Sequence, residues 1–417
     1  MADRDFDLLV GPVGCLVPCH QEGPRRGAAM RELPVLRGGA VGVRGDEVVF
    51  VGPWKEVAAA TAIRRISAPD ATVLPGFVDP HTHIPFVGDR AHELALRLRG
   101  ASYMEIGRAG GGILSTMAAV RAASEDDLLG AARALARRRL AHGVTTFEAK
   151  SGYGLDLENE LKQLRVLAAL AAEGPQTILS TCLAAHFVPP EYRADPDAYV
   201  TLVCEAILPA VASAKLARFC DVFCEEGAFT IEQSRRVLEA GRRHGLLPRL
   251  HADEIVDTGG AALAAEVGAV SADHLLTASD AGVARMAEAG VCATLLPGTA
   301  FYLRKPYAPA RRFLDAGVPV AVASDCNPGS CYTANHLMVL TLAVFGMGML
   351  PEEALWASTL NAACALGEGD RLGSLGVGKR ADLCLWEVPS YLHLFYPFAE
   401  NPLGTVVCGG EVVWESC

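Results

Sequence analysis

Short runs of apolar, often β-branched residues alternate along this chain with longer stretches in which apolar residues recur every three or four positions. The longer stretches, such as 155–173, 231–245 and 279–290, predict amphipathic helices. Strands that alternate with helices indicate a parallel sheet, and eight repeats indicate a closed (β/α)8 barrel of the TIM type. The eight predicted strands are 76–83, 143–149, 178–186, 219–224, 247–251, 269–274, 291–296 and 318–324.

The two ends of the chain follow a different pattern, in which short apolar runs are punctuated by glycines. This pattern is typical of short strands joined by tight turns. Neither end alone offers enough strands for a stable sheet. The sequence therefore predicts a small β-sandwich domain built from residues 1–72 and 373–417, around a barrel that spans residues 73–372.

Composition narrows the class of protein. With 51% apolar and 20% charged residues among 417, the chain is not intrinsically disordered. The longest apolar stretch, 337–350, is shorter than the ~18–20 residues that a bilayer span requires, and it predicts a buried helix. The formal charge of −11 argues against nucleic acid or an anionic membrane as a partner.

The cysteines and the first residues indicate the compartment. Thirteen cysteines at irregular spacings, an odd count in a large chain, are typical of packed thiols in a reducing compartment. The chain begins Met-Ala-Asp-Arg-Asp, without the basic and apolar regions of a secretory signal. We therefore expect a cytoplasmic protein.

Histidine and aspartate side chains stand where several predicted strands end. His81 and His83 are two residues apart, and strand neighbours at that spacing project to the same face. His251 closes another strand, and Asp325 follows the apolar run 320–324, where an unpaired carboxylate would be costly. Barrel active sites form at this end of the strands. We therefore predict that these four residues hold one divalent or trivalent metal ion, zinc or iron.

A carboxylate close to this centre can move a proton. Glu254 lies three residues after His251, so the chain must turn after the strand if Glu254 is to reach the metal. It would then take a proton from water and pass it to a leaving nitrogen. Asp253 lies two residues after His251, so on a continuing strand it would face the same side as His251, and it is the alternative base. A third interpretation is that both carboxylates only cap the following helix.

Several segments of the sequence resemble the imidazolonepropionases, a family of the amidohydrolase superfamily. The resemblance covers nearly the whole chain and is weakest over the first 40 residues or so. The segments and residues that carry it are 75–83, Arg90, 103–106 with the triple glycine 110–112, 150–155, 251–254, 324–329 and 378–383.

Membership of this family implies a barrel of the amidohydrolase type and the ring-opening hydrolysis of 4-imidazolone-5-propanoate to N-formimidoyl-L-glutamate, a step in histidine degradation. It implies a single metal, zinc or iron. The metal ligands that it implies are His81, His83, His251 and Asp325. The catalytic residues that it implies are Glu254, His274 and Asp325. The substrate-binding residues that it implies are Arg90, Tyr153, His186, Asn327, Gly329 and Ser330.

The implied substrate is a small anion with a carboxylate tail and a planar cyclic amide. Arg90 is expected to offer a bidentate fork to the carboxylate. Tyr153, in a glycine-flanked loop, is expected to be free to close over a ligand. Because the net charge does not attract an anion, Arg90, Arg304 or Lys305 must supply local attraction. A homodimer is one assembly that the sequence leaves open.

Three alternatives remain at this point. Some amidohydrolases bridge two metals with a carboxylated lysine at a strand end, where Lys150 stands, whereas the resemblance implies one metal. A related deaminase, acting on a cyclic amidine such as cytosine or guanine, could use the same ligands, although Arg90 suits a carboxylate better than a neutral base. A catalytically inactive scaffold would be expected to have lost ligands, and all of them are present.

Overall fold

The computed structural model describes residues 5–101, 105 and 111–416. Of the segments that carry the family resemblance, Tyr103, Met104, Ile106 and Gly110 lie outside the described residues. The strands are β1 (Phe6–Leu16), β2 (Leu36–Arg44), β3 (Glu47–Pro53), β4 (Ala62–Pro75), β5 (Phe77–Asp79), β6 (Val144–Lys150), β7 (Thr177–Ala185), β8 (Phe219–Cys224), β9 (Leu247–Ala252), β10 (Ser271–His274), β11 (Cys292–Leu295), β12 (Val320–Val322), β13 (Leu383–Trp386), β14 (Leu403–Cys408) and β15 (Glu411–Glu415).

The α-helices alternate with the strands over the middle of the chain. They are α1 (Ala91–Leu98), α2 (Ile113–Ala122), α3 (Glu125–Leu140), α4 (Leu157–Glu173), α5 (Pro196–Leu202), α6 (Leu208–Ser213), α7 (Ile231–Arg243), α8 (Gly260–Glu266), α9 (Asp280–Ala289), α10 (Pro297–Leu303), α11 (Ala310–Asp315), α12 (His336–Met347), α13 (Pro351–Ala357) and α14 (Leu360–Ala365). Within the described ranges, every helix is too short or too polar to cross a bilayer.

The eight strands β5 to β12 form one sheet in chain order, and all their pairings are parallel. Thr82 forms a parallel bridge with Cys326 and so links the segment after β5 to the segment after β12. The backbone N–H of His83 donates to the carbonyl of Cys326, and that of Asp325 donates to the carbonyl of His81. The predicted (β/α)8 barrel is confirmed, and its first and last strands meet beside the predicted metal ligands.

The barrel strands are buried on both faces, including their polar residues. All seven residues of β6 are buried, as expected for a parallel strand covered by helices on one side and by the barrel interior on the other. The apolar stretch 337–350 contributes most of α12, whose buried residues include Leu337, Val339 and Leu340. The longest apolar run in the sequence is therefore a core helix of the barrel.

A second sheet of seven strands combines both ends of the chain, in the order β15-β14-β13-β4-β1-β2-β3. Strand β1 pairs with β4 in parallel, and the other pairs are antiparallel. Strand β4 joins the strands from the two chain ends, because it pairs with both β1 and β13. A single residue separates its end from the first barrel strand. The predicted assembly of a small β domain from both chain ends is confirmed, and the residue bounds of the domains stay a prediction.

The Gly/Pro/Arg-rich segment between β1 and β2 packs against the barrel. Met30 is fully buried, and the indole N–H of Trp356 donates to the carbonyl of Glu32 at 3.0 Å. The backbone N–H of Arg25 donates to Oδ1 of Asn361 at 2.7 Å. This segment therefore fastens the small sheet to α13 and α14.

Candidate active site and metal centre

Four predicted ligands converge at the carboxyl ends of the barrel strands. Nε2 of His83 lies 3.3 Å from Nε2 of His81 and 3.3 Å from Nε2 of His251. Oδ1 of Asp325 lies 3.2 Å from Nε2 of His83 and 3.6 Å from Nε2 of His81. His81 and His83 lie just beyond β5, not within it as the sequence predicted, because the strand ends at Asp79.

The spacing of these atoms fits a metal ion. Two atoms bound tetrahedrally to one Zn²⁺ at about 2.0–2.1 Å lie about 3.3 Å apart, which is close to the separations found here. Oδ1 of Asp325 is also buried without a hydrogen-bond partner in the described part of the chain. Such an oxygen is costly unless a cation lies beside it. Three imidazoles and a carboxylate suit zinc or iron.

Two buried aspartates orient the imidazoles. Oδ2 of Asp273 lies 2.6 Å from Nδ1 of His81, and Oδ1 of Asp221 lies 3.1 Å from Nδ1 of His251. A carboxylate at Nδ1 keeps the proton there and leaves Nε2 as a ligand atom. Burial alone would lower the pKa of His251, but Asp221 raises it above its usual value. Asp221 interrupts the apolar run 219–224, and that was the signal from which sequence reasoning could have found it.

Lys150 belongs to this network of buried charges. Its Nζ lies 2.7 Å from Oε1 of Glu148 and 2.8 Å from Oδ2 of Asp221. Burial alone would lower the pKa of Lys150, but these two carboxylates raise it, so the amine is a charged ammonium. A carboxylated lysine would place a third negative charge between them. The contacts therefore argue against the two-metal alternative.

The backbone turns sharply where the site residues follow their strands. His274 has φ +77°, Asp325 has φ +52° and Asp253 has φ +51°, all in the left-handed region that non-glycine residues rarely adopt. Such conformations cost about 1–3 kcal/mol each and persist where the surrounding structure fixes them. The cluster of three at one rim marks it as the functional end of the barrel.

A cavity of about 450 Å³ opens above the cluster. Most of its polar wall comes from residues that the sequence or the family resemblance singled out. Those residues are His83, Arg90, Tyr153, His186, His251, Glu254, His274, Arg304, Lys305, Asp325, Asn327, Gly329 and Ser330. His81 lies deeper and is fully buried.

The structure distinguishes between Asp253 and Glu254, the two candidates for the catalytic base. The side chain of Asp253 accepts backbone N–H groups from Thr258, Gly260 and Ala261, so it caps the start of α8 and points away from the cavity. Glu254 lines the cavity, and its Oε2 lies 3.8 Å from Nδ1 of His274. The helix-cap interpretation therefore fits Asp253 and not Glu254.

Glu225 fixes the loop that carries Glu254. Its carboxylate accepts the backbone N–H groups of Glu254 and Ile255 at 3.0 and 2.8 Å. Glu225 is 2% exposed, so these bonds form away from solvent. The backbone of Glu254 is therefore held in place before any ligand binds.

Arg90 is buried beside the cavity, but its fork is already occupied. Its Nε and Nη2 donate to the two carboxylate oxygens of Glu93 at 3.0 and 2.8 Å. Glu93 also accepts the backbone N–H of Gly112 at 2.8 Å. The Nε–Nη2 edge of Arg90 is therefore taken by Glu93, and the expectation that Arg90 offers a bidentate fork to a substrate carboxylate stays a prediction.

The loop of Tyr153 is fixed. Oε1 of Glu160 accepts the backbone N–H groups of Gly154 and Leu155 at 2.9 and 2.8 Å, and Gln163 accepts that of Tyr153 at 3.0 Å. A Cβ at residue 154 would lie 2.5 Å from the backbone nitrogen of Glu160. These contacts favour a fixed loop in which glycine lets two backbones approach, and whether Tyr153 closes over a ligand stays a prediction.

His186 presents one defined nitrogen to the cavity. Its Nδ1 lies 2.9 Å from the carbonyl of Gly152, so the proton on Nδ1 is donated there and Nε2 remains an acceptor. Burial, reinforced by His83 and His251, holds the pKa of His186 well below its usual value. The ring stacks on His83 at a centroid distance of 5.0 Å. His186 is therefore a neutral acceptor next to the predicted metal ligands.

Asn327 organises the turn after Asp325. Its Oδ1 accepts the backbone N–H groups of Gly329 and Ser330 at 2.8 and 2.7 Å, and its Nδ2 donates to the carbonyl of Asp325 at 2.7 Å. Oγ of Ser330 lies 3.4 Å from Oδ2 of Asp325. The side chain of Asn327 thus shapes the wall that Gly329 and Ser330 form.

Comparison with known proteins identifies the family. The amidohydrolase family model matches residues 72–413. The chain is 51% identical over 389 residues to the imidazolonepropionase of Geobacillus kaustophilus, covering 92% of both chains. It is 48% identical over 408 residues to that of Parabacteroides distasonis, covering 97% of this chain and 98% of the relative.

Two solved structures share the architecture. An adenosine deaminase from Xanthomonas campestris with bound zinc superposes with a TM-score of 0.72 at 21% identity, covering 98% of this chain and 92% of that one. The guanine deaminase of E. coli gives 0.68 at 15% identity, covering 98% and 99%. At such identities the likeness shows the fold alone. The family match and the relatives at about half identity show that the chain belongs to the amidohydrolase family, and within it to the imidazolonepropionases.

Proposed function

We propose that this chain hydrolyses the cyclic amide of 4-imidazolone-5-propanoate to N-formimidoyl-L-glutamate, a step in histidine degradation. Water adds to the ring carbonyl carbon, the ring amide C–N bond breaks, and the leaving nitrogen takes a proton. The observation that carries the proposal is the convergence of four metal-ligand atoms at one end of a cavity that also holds a carboxylate and a buried arginine. The relatives at about half identity support the same reaction.

His81, His83, His251 and Asp325 would hold one metal ion, zinc or iron. When bound, that ion supplies Lewis-acid polarisation of a carbonyl group at neutral pH. Burial opposes ionisation of Asp325, but contact with His83 and His81 holds the pKa of its carboxyl well below the usual range. Asp325 is therefore an anionic ligand.

Glu254 is the group that moves the proton in this proposal. Its carboxylate faces the cavity, its backbone is held by Glu225, and His274 lies 3.8 Å away. Glu254 takes the proton from the attacking water and returns it to the leaving ring nitrogen, a contribution typically worth 10²–10⁴-fold. His274, beside Glu254 in the cavity wall, orients Glu254 and the ring carbonyl.

The remaining wall orients the substrate. Arg90 attracts the carboxylate arm, and Nε2 of His186 accepts a hydrogen bond from a ring N–H. Tyr153 packs over the ring from its fixed loop, and the 327–330 turn forms the opposite wall. Because these groups are held before binding, little ordering entropy is lost when the ring enters.

A deaminase would use similar ligands but would release ammonia. The arginines that line this cavity favour a substrate with a carboxylate arm over a neutral nucleobase. The convergence of the four predicted ligands also argues against an inactive scaffold. We also propose a cytoplasmic location for the enzyme, with a homodimer as the assembly to test first.

The test is an assay of the purified full chain with 4-imidazolone-5-propanoate. We expect the loss of imidazolone absorbance to match the formation of N-formimidoyl-L-glutamate, with no ammonia released. Turnover of cytosine or guanine with release of ammonia, and none of the imidazolone, would overturn the proposal.

A further inference from the structure

A second guanidinium lies on the same helix face as Arg90. Arg97 follows Arg90 by seven residues and Glu93 by four, a spacing that brings all three to one side of α1. Nη1 of Arg97 donates to the carbonyl of Gly329 at 2.8 Å, and its guanidinium lies 4.8 Å from the centroid of the Tyr302 ring. Arg97 lines the cavity together with Tyr302.

Arg97 has donors that no described residue satisfies. Its Nε and Nη2 atoms are buried, and neither has a hydrogen-bond partner in the described part of the chain. Arg139 and Arg249, the two fully buried arginines, also have buried donors without a described acceptor, but each pairs with a carboxylate, Asp79 and Asp273 respectively. Among described residues, no carboxylate lies within 4.0 Å of the Arg97 guanidinium. Arg97 thus differs from Arg139 and Arg249 because it has no carboxylate partner in the described part of the chain and lines the cavity, so its costly unpaired donors indicate a ligand that accepts from them.

The charge balance of the cavity wall points to the same ligand. Arg90 and Glu93 neutralise each other through two hydrogen bonds, so together they add little net charge. Arg97 is half-buried in the same wall and is not neutralised in this way. Both arginines contact Gly329, since a Cβ at that residue would collide with Nη1 of Arg90 and its carbonyl accepts from Arg97. One carboxylate placed beside Gly329 could therefore meet both guanidiniums.

We propose that Arg97 binds the carboxylate of the substrate's propanoate arm together with Arg90, and thereby makes the site selective for an anionic imidazolone over a neutral one. This inference rests on the proposed function and names a specificity residue for it. Arg90, tied to Glu93, fixes the position of the arm, and Arg97 supplies the balancing positive charge.

The experiment compares two substrates that differ only in that charge, 4-imidazolone-5-propanoate and its neutral propanamide. The variants are Arg97→Met, Arg97→Lys and the matched control Arg99→Met, which removes an exposed arginine at the end of the same helix. Hydrogen bonds to a charged partner are typically worth about 1.5–3 kcal/mol. We therefore expect Arg97→Met to raise KM for the acid about 10- to 100-fold while kcat stays within about threefold.

The neutral substrate distinguishes a role of Arg97 in binding the carboxylate from a role in maintaining the structure of the site. We expect Arg97→Met to change KM for the propanamide less than threefold, Arg97→Lys to recover part of the affinity for the acid, and Arg99→Met to behave as wild type on both. Equal losses on both substrates would assign Arg97 a structural role through Gly329, and unchanged kinetics on the acid would also overturn the inference. Failure of the wild-type chain to turn over either compound would overturn the proposed function, and this inference with it.

Discussion

Oδ1 of Asp221 lies 3.1 Å from Nδ1 of His251, so a buried carboxylate decides which imidazole nitrogen faces the predicted metal. The other oxygen of Asp221 pairs with Lys150 at 2.8 Å. One aspartate therefore links the lysine, which a two-metal centre would carboxylate, to a ligand of the single-metal centre that we propose.

Replacing Asp221 by asparagine is expected to lower metal affinity about 10- to 100-fold, the usual effect of losing a partner behind a ligand. The amide keeps the shape but not the charge that fixes the proton on Nδ1 of His251. Competition against a chelator of known affinity measures the change. Asp70→Asn, at an exposed position of the small sheet, is the matched control. Equal affinities in the two variants would contradict the assigned role of Asp221.

Substitutions of the neighbouring residues Glu254 and Asp253 are predicted to change different properties, catalysis for Glu254 and stability for Asp253. Glu254→Gln should lower kcat about 10²- to 10⁴-fold with normal metal content and stability, because only the proton acceptor is lost. Asp253→Ala should lower the free energy of unfolding by about 1–2 kcal/mol, because three backbone N–H groups lose their acceptor. Steady-state kinetics and denaturant unfolding separate the two. A collapse of kcat in an Asp253→Asn variant that unfolds normally would reverse the assignment.

The Arg90–Glu93 pair predicts a dependence of stability on pH. Burial opposes ionisation of Glu93, but Arg90 and the N–H of Gly112 hold the pKa of its carboxyl below the usual value of a glutamate, 4.5. Ionised Glu93 therefore stabilises the folded protein fully at neutral pH. This stabilisation is lost as the pH falls below about 4.5 and passes the pKa of Glu93 in the folded state. Glu93→Gln should be less stable than wild type at pH 7, and the difference should narrow below pH 4.5. Denaturant unfolding at both pH values measures it, and a constant difference would refute the pairing.

Glycine at position 154 is predicted to be required for packing. In Gly154→Ala the new Cβ would lie 2.5 Å from the backbone nitrogen of Glu160, so we expect the free energy of unfolding to fall by about 1–3 kcal/mol and KM to rise. Gly130→Ala is the control. Residue 130 lies in α3 with no atom near the new methyl group, and alanine should stabilise that helix by about 0.5–1 kcal/mol. Equal stabilities would mean that the Tyr153 loop can move.

The fold could be predicted because its signal is local. Most barrel strands are short segments rich in apolar residues, a signal that depends only on nearby residues, so 219–224 was predicted to the residue and 143–149 to within one. The first strand was predicted too long. Beyond Asp79, Thr82 forms an isolated bridge with Cys326, which follows the last barrel strand, and such a long-range bridge leaves no signal in the local sequence pattern.

The site was harder to predict because its geometry depends on side chains that are distant in sequence. The strand-end histidines could be found from position alone, whereas the pairing of Asp221 with His251 spans 30 residues and follows from the barrel register. The alternation of side chains along a strand favoured Asp253 over Glu254 as the catalytic base. The backbone turns at Asp253, where φ is +51°, and this turn favours Glu254 instead. The roles of Glu254, His274 and the substrate-binding residues stay predictions.

Metal content and product measured on one preparation test the central claim most directly. We predict one zinc or iron per chain, formation of N-formimidoyl-L-glutamate from 4-imidazolone-5-propanoate without ammonia, loss of activity when a chelator removes the metal, and recovery when one equivalent returns. Two metal ions per chain, release of ammonia, or full activity in the metal-free protein would contradict the account.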